Sequence, residues 1–244
     1  MNVRAITTMY GYARCASIYW RYRHFTMIGP RTYARNLMIA GAAADVDGCV
    51  IECGAWRGGM SAGLVHVLGT NRQYFLFDSF EGLPPATDAD GEQARRWQAD
   101  RGAPHYYDNC RASERDARDA MMRSPANRFH VVKGWFADTV ARFQPPCPIA
   151  LLRLDGDWYE STLCCLRALY PHVAERGLII LDDYYFWDGC AKAVHHYLAE
   201  VKSAARIEQP FAPIGIFRKP PADRELGQSP IAYKNSRSPS SNAA

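Results

Sequence analysis

The stretch Cys49-Val50-Ile51-Glu52-Cys53-Gly54-Ala55-Trp56-Arg57-Gly58-Gly59 decides the fold. Its first five residues are an apolar run holding one acid, the length of a buried strand and too short for a helix. Gly54, Gly58 and Gly59 then break the run, and a helical apolar stretch follows to Leu68. A strand, a glycine-rich turn and a helix suit a nucleotide-like cofactor, because glycine permits tight turns and close backbone approach. The same turn can also be purely structural.

The pattern repeats outward from that unit. YFLFD (74–78), FHVVK (129–133), IALLRLD (149–155) and GLIILDD (177–183) read as further strands, nearly continuous in apolar character, as expected where helices cover both sheet faces. Helical stretches at 58–68, 113–122, 136–143, 159–173 and 188–203 lie between or after them. A closing pair, ARIEQ (205–209) and PIGIFRK (213–219), is linked by a short turn expected around Pro210. Strand–helix alternation implies right-handed crossovers and a parallel sheet. The expected fold is α/β: a doubly wound, mostly parallel seven-stranded sheet, Rossmann-like, with an antiparallel last strand.

Residues 46–219 therefore read as the catalytic domain. Residues 1–45 read as a helical lead-in serving docking or homo-oligomer formation. The polar, aromatic-dotted connection 79–112 is too long for a plain loop and suits a lid or acceptor loop. The Pro-, Ser- and Asn-rich stretch 220–244 reads as a disordered tail.

Bulk properties narrow the class. With 244 residues, 48% of them hydrophobic, the chain suits one large domain. A net charge of +4 does not single out nucleic acid, and no such partner is expected. No apolar run is long enough for a membrane span, and the N-terminus lacks the apolar core of a signal peptide. The eight cysteines include no CxxC pair and no zinc-ligand spacing, which points to a reducing, cytoplasmic compartment.

In an open α/β sheet, ligands bind at the carboxyl ends of the strands. The dinucleotide fingerprint would place its second glycine where this chain has Trp56. An indole there would obstruct a diphosphate but need not obstruct S-adenosylmethionine, which has no phosphate. Asp78 ends the second strand, placed to accept from ribose hydroxyls or to cap a turn. Lys133-Gly134-Trp135 ends the third, where the indole can wall an adenine or join the core. Asp155-Gly156-Asp157 ends the fourth strand and Asp182-Asp183 the fifth. If those strands are neighbours, about 4.8 Å apart, three or four carboxylates crowd one sheet edge. Oxygen-only donors favour a hard cation such as Mg²⁺; a helix-capping role would account for one of the acids.

The stretches ECGAWRGG, LFDSFEGLP, KGWFADT, LRLDGDWYEST and GLIILDDY, with TMIGPRTYARNLMIAGA before them, resemble the macrocin O-methyltransferase family, which methylates sugar hydroxyls on antibiotics and other natural products. The likeness covers roughly residues 24–218. It implies a class I methyltransferase fold, with Mg²⁺ or another divalent cation held by Asp155, Asp182 and Asp183. Asp157 is implied as general base. S-adenosylmethionine is implied to lie against Glu52, Gly54, Asp78, Ser79, Gly134, Trp135 and Asp155. Ala55 and Trp56 stand in a turn that commonly reads Gly-Val-Trp, and Ala137 stands where a larger polar residue is common. The connection 84–112 is only loosely similar, which puts the acceptor more in doubt than the reaction.

The expected chemistry is transfer of the sulfonium methyl to a hydroxyl of a small glycosylated molecule, the cation lowering the hydroxyl's pKa and Asp157 taking its proton. His105, His130, His195 and His196 are candidate helpers, with the last two read as structural. A nicotinamide-dependent oxidoreductase is the enzymatic alternative, although it has no use for the second acid pair. A catalytically silent binding protein on the same fold is the other.

Overall fold

The computed structural model describes residues 3–221, with side chains from residue 11 onward. Helices α1 (Val3–Tyr22) and α2 (Pro30–Ala40) precede the strand β1 (Cys49–Cys53), which is buried at every position because neighbours flank it on both sides. Then follow α3 (Gly59–Leu68), β2 (Gln73–Asp78), α4 (Gly91–Ala99), α5 (Glu114–Met122), β3 (Arg128–Lys133) and α6 (Phe136–Thr139). The chain continues through β4 (Ile149–Leu154), α7 (Tyr159–Leu169), β5 (Val173–Leu181), α8 (Asp188–Glu200), β6 (Glu208–Phe211) and β7 (Ile214–Arg218).

The seven strands form one sheet in the order β3-β2-β1-β4-β5-β7-β6. Strands β1 to β5 pair in parallel, and β7 runs antiparallel to both β5 and β6. Chain direction along the sheet reverses between β1 and β4, so a crevice opens there at the carboxyl ends. Two apolar layers cover the faces. One joins α1, α2, α3 and α5, through residues such as Tyr22, Leu37, Leu64 and Met121. The other is built on α7 and α8, through Leu163, Leu166, Val194 and Tyr197.

The N-terminal helices are fitted closely into this frame. Tyr33 on α2 donates its hydroxyl proton to the Gly59 carbonyl (2.8 Å). A Cβ at Gly63 would lie 2.1 Å from that hydroxyl oxygen, so α3 needs glycine for α2 to approach. Among the described residues no helix is long and apolar enough to cross a membrane.

Several local expectations shift. The connection 79–112 is not featureless: it carries α4 and two short helical turns. Helix 136–143 shortens to α6 followed by a 3₁₀ turn, Val140–Arg142. Pro171 sits in the 3₁₀ turn that ends α7, and β5 starts at Val173 rather than 177. Pro210 lies inside β6, and the turn falls at Ala212–Pro213 instead. Proline has no N–H for a ladder and is tolerated there because β6 is an edge strand. The expected tail lies, from 222 onward, outside the described residues.

Candidate active site

The carboxyl ends of the parallel strands open into a cavity of about 590 Å³. Its wall takes in the β1 turn, the ends of β2, β4 and β5, the start of α6, the connection 82–110 and Phe25–Ile28 from the N-terminal segment.

On the β1–β2–β3 side, the wall is held by backbone. Gly54 has φ of 91°, and a Cβ on it would stand 1.7 Å from the Asp155 carbonyl oxygen. Glycine there lets the β1 turn lie directly against the end of β4. The Asp78 carboxylate accepts from the Trp56 N–H and the Phe80 N–H, each at 2.7 Å. It therefore fixes the turn, and its remaining lone pairs are what a ribose could use. Burial raises its pKa, opposed by those backbone donors. Ser79 Oγ donates to the Gly82 carbonyl (3.0 Å) and accepts from Glu81 N–H (3.1 Å), shaping the start of the long connection. Gly134 (φ 141°) donates its N–H to the Asp78 carbonyl (2.9 Å) and leads into Trp135, which is 39% exposed and lines the cavity.

Between β1, β4 and β5 lies a buried ionic hub. Arg153 is fully buried on β4, and its Nη1 donates to Glu52 Oε1 and Asp155 Oδ2, both at 2.7 Å. Its Nη2 donates to Asp182 Oδ1 at 2.6 Å. Burial opposes the Arg153 charge, but Asp155, Asp182 and Glu52 outweigh it and raise the guanidinium pKa further. Glu52 also accepts from Ser61 Oγ, so both its oxygens are engaged inside the protein.

Beyond the hub, three carboxylates converge. One oxygen each from Asp155, Asp157 and Asp183 lie within 4.8 Å of one another. Burial raises all three, Asp155 and Asp183 well above the usual carboxylate range and Asp157 up to about 6, and the neighbouring acids add to the rise. Asp157 and Asp183 have no ion pair among the described residues. Asp182 also lines the cavity, but its Oδ1 is held by Arg153 and by Asn36 Nδ2 (3.2 Å). Hence the structure gathers Asp155, Asp157 and Asp183 most tightly, with Asp182 one step back on the Arg153 fork.

Aromatic groups contribute much of the rest of the wall: Trp97, His105, Tyr107, Phe186 and Trp187. Tyr107, Asp108, Asn109 and Cys110 are four consecutive residues with φ between 50° and 61°, one turn of left-handed helix. Asn109 anchors it, donating Nδ2 to the Leu83 carbonyl (2.7 Å) and accepting from Gln98 Nε2 (2.9 Å). His195 and His196 lie off the cavity and bond Tyr184 and Tyr159, and His130 stacks on Phe75 in β2. Of the histidines considered as helpers, His105 lines the cavity.

Residues 4–217 match the macrocin O-methyltransferase (TylF) family. The chain belongs to that family. Among relatives of this TylF-family chain is the Streptomyces olivaceus 8-demethyl-8-(2,3-dimethoxy-alpha-L-rhamnosyl)-tetracenomycin-C 4'-O-methyltransferase, 35% identical over 64% of this chain and 59% of that enzyme. Another is the Streptomyces niveus demethyldecarbamoylnovobiocin O-methyltransferase, 32% identical over 67% of this chain and 63% of the other. The match thus spans about three fifths of the length of these relatives. The solved structure of the O-methyltransferase NovP superposes with a TM-score of 0.68 at 27% identity, covering 81% of this chain and 83% of that one.

Sequence reading missed Arg153, Asn36 and Trp187. An arginine in the middle of the apolar run IALLRLD was the available signal, because a buried charge on a central strand demands partners. Asn36 and Trp187 carried none, since what they do depends on which strands meet them.

Proposed function

We propose that this TylF-family chain is an S-adenosylmethionine-dependent O-methyltransferase acting on a hydroxyl of a small glycosylated acceptor, with Mg²⁺ or a similar cation at the acid cluster. The observation that carries this reading is the convergence of strand-end carboxylates beside the β1 turn, in a cavity at the switch point of the sheet. The tetracenomycin relative, whose name specifies a rhamnosyl position, supports a sugar hydroxyl as acceptor.

The donor set suits a hard divalent cation: all oxygen, closely spaced, and short of positive charge on the cavity side. Asp155, Asp182 and Asp183 would hold it. Arg153 clamps one oxygen of Asp155 and one of Asp182, and each keeps its other oxygen. A cation there supplies Lewis acidity that lowers the pKa of an acceptor hydroxyl. S-adenosylmethionine supplies an electrophilic sulfonium methyl. Asp157 takes the hydroxyl proton: Trp187 holds its Oδ1 (2.8 Å), and a carboxylate raised to about 6 is a stronger base than a free one. Asp78, Ser79, Gly134 and Trp135 line the cofactor, and Glu52 and Gly54 set the turn it rests on. The aromatic wall, from 79–112 and from Phe186 and Trp187 before α8, faces the acceptor and excludes water.

The nicotinamide alternative meets Trp56 in the turn, where its indole Nε1 donates to the Arg111 carbonyl (3.1 Å) and its ring lies under the Arg57 guanidinium. Isothermal titration separates the two readings. S-adenosylhomocysteine should bind near micromolar, roughly 8 kcal/mol, and NAD should give no saturable heat. Tight NAD binding overturns the proposal. Transfer of labelled methyl from S-adenosylmethionine to rhamnosylated acceptors then tests the acceptor class.

A further inference from the structure

The ionic hub reaches back to an element outside the strand–helix alternation. Asn36 on α2 is fully buried, and the other buried positions of that helix (Tyr33, Ala34, Leu37, Ile39 and Ala40) are mostly apolar. An amide in such a place is costly unless both its ends find partners. Its Nδ2 donates to Asp182 Oδ1 (3.2 Å) and to the Thr32 carbonyl one turn earlier (3.2 Å). Its Oδ1 accepts from Arg153 Nε (3.4 Å).

These bonds close a ring. Arg153 donates to Asn36 through Nε and to Asp182 through Nη2, and Asn36 donates to the same Asp182 oxygen. That oxygen is held from two sides, by β4 and by α2. The third nitrogen of Arg153 holds Asp155, on the other strand end. The orientation of two acids at the cavity therefore depends on one fork, and Asn36 is the group that accepts from the fork's stem.

We infer that Asn36 is a positioning residue for the divalent cation. By fixing the Arg153 guanidinium and one oxygen of Asp182, it holds the β4 and β5 acids in the arrangement that receives the ion. The inference rests on the cation site proposed above. It makes α2, in a segment that reads from sequence as docking, part of the catalytic centre. Packing alone would be served by leucine, which has the same branched side chain of four heavy atoms, though bulkier, and matches the helix's other buried residues. The effect should fall on the ion more than on the cofactor, because Asn36 bonds Asp182 directly but reaches Glu52 only through Arg153, and among the described residues it makes no hydrogen bond to Asp78, Ser79 or the Gly134–Trp135 turn.

The test compares the wild-type protein with Asn36→Leu, titrating each with Mn²⁺ by electron paramagnetic resonance and, separately, with S-adenosylhomocysteine by calorimetry. Asn36→Leu should weaken Mn²⁺ by about 10–100-fold, the usual range when a partner behind a ligand is lost. It should also alter the spectrum of the bound ion while leaving S-adenosylhomocysteine affinity within about twofold. A role in packing alone would lower the melting temperature and leave the Mn²⁺ spectrum unchanged. Should the leucine variant not fold, Asn36→Ser is read in the same way. Unchanged Mn²⁺ affinity and spectrum in a folded variant overturn the inference and leave the cation site standing. Equal weakening of both ligands also overturns it, because Asn36 would then support the whole cavity. A wild-type protein that binds no Mn²⁺ removes the cation site, and the inference with it.

Discussion

The indole N–H of Trp187 donates to Asp157 Oδ1 across 2.8 Å, tying the proposed base to a tryptophan cluster that includes Trp97 of the long connection. Asp157 sits on a left-handed backbone (φ 57°), and its own N–H donates to Asp183 Oδ2 at 3.0 Å. Trp187 is nearly buried and meets Trp158 and Trp97 edge-on, at centroid distances of 5.2 and 5.9 Å. Trp158 Nε1 in turn holds the Pro84 carbonyl (2.9 Å). The carboxylate's position is thus braced, through the tryptophans, against the long connection 79–112.

Trp187→Phe keeps the ring and deletes the donor. A hydrogen bond to a charged acceptor contributes about 1.5–3 kcal/mol. Where that orientation matters in the transition state, kcat falls about 10–100-fold. Binding of S-adenosylhomocysteine should not change. Steady-state kinetics with a rhamnosylated acceptor checks this, and a kcat within twofold of wild type would show that the base needs no such brace.

The succession of strands along the chain and the acids at their ends were legible because each is a local pattern. A continuous apolar run, a glycine break and a terminal Asp are all visible in one window of sequence. Arg153 and Asn36 were not, because their meaning arises only when β1, β4, β5 and α2 are brought together. The same holds for Asp78: its placement at the end of β2 was readable, but the two backbone donors that bind it come from a different turn and from beyond it. The connection 79–112 hid α4 because nine mostly polar residues offer little apolar periodicity. Asp90 anchors that region, accepting from the Tyr159 N–H at the start of α7 (2.7 Å), and nothing local to Asp90 announces the pairing.

His66 links pH to the docking of α1. It shares a hydrogen bond with the Tyr22 hydroxyl (3.0 Å), and burial, with Arg21 and Arg14 nearby, lowers its pKa. The folded chain then takes the proton less readily than the unfolded one, so stability is full above the unfolded pKa of about 6.5. It declines as pH falls through the lower folded value. His66→Gln should flatten the dependence of melting temperature on pH between about 7.5 and 5.5. An unchanged slope would mean that the imidazole keeps its proton equilibrium on folding.

The left-handed turn at Tyr107–Cys110 should respond to glycine in the opposite way to ordinary helix. Asp108 has φ of 52°, an exposed side chain and one loose ion pair to Arg111 at 3.9 Å. Left-handed backbone costs an L-residue about 1–2 kcal/mol, and glycine gives back about 0.5–1 kcal/mol in unfolded-state entropy. Asp108→Gly should therefore be neutral or stabilising by up to about 1 kcal/mol, and Asp108→Val clearly destabilising. Denaturant midpoints for the pair measure it. Equal loss in both would mean that the aspartate side chain, rather than the backbone, holds the turn.

The final prediction separates ligand from base among the four acids. Asp155, Asp157 and Asp183 converge most closely, while Asp182 is held by Arg153 and Asn36, so distance alone would make Asp157 the third ligand. The hydrogen bonds argue otherwise: Arg153 fixes one oxygen of Asp155 and one of Asp182, as suits ligands that each use their second oxygen. Asp157 is fixed by an indole that supplies no charge. Asp182→Asn should then weaken Mg²⁺ binding, and excess metal should restore part of the activity. Asp157→Asn should leave the metal affinity nearly intact and lower kcat by about 10²–10⁴-fold. Thermal melts give an independent reading, because an ion at a hundredfold excess over its Kd stabilises the native state by about 2.7 kcal/mol. Asp157→Asn should keep that increment, and Asp182→Asn should lose most of it at the same Mg²⁺ concentration. The reverse pattern would exchange the two roles, making Asp157 a ligand beside Asp155 and Asp183. If neither the melt nor the activity of the wild-type protein responds to Mg²⁺ or EDTA, the acid cluster works without a cation.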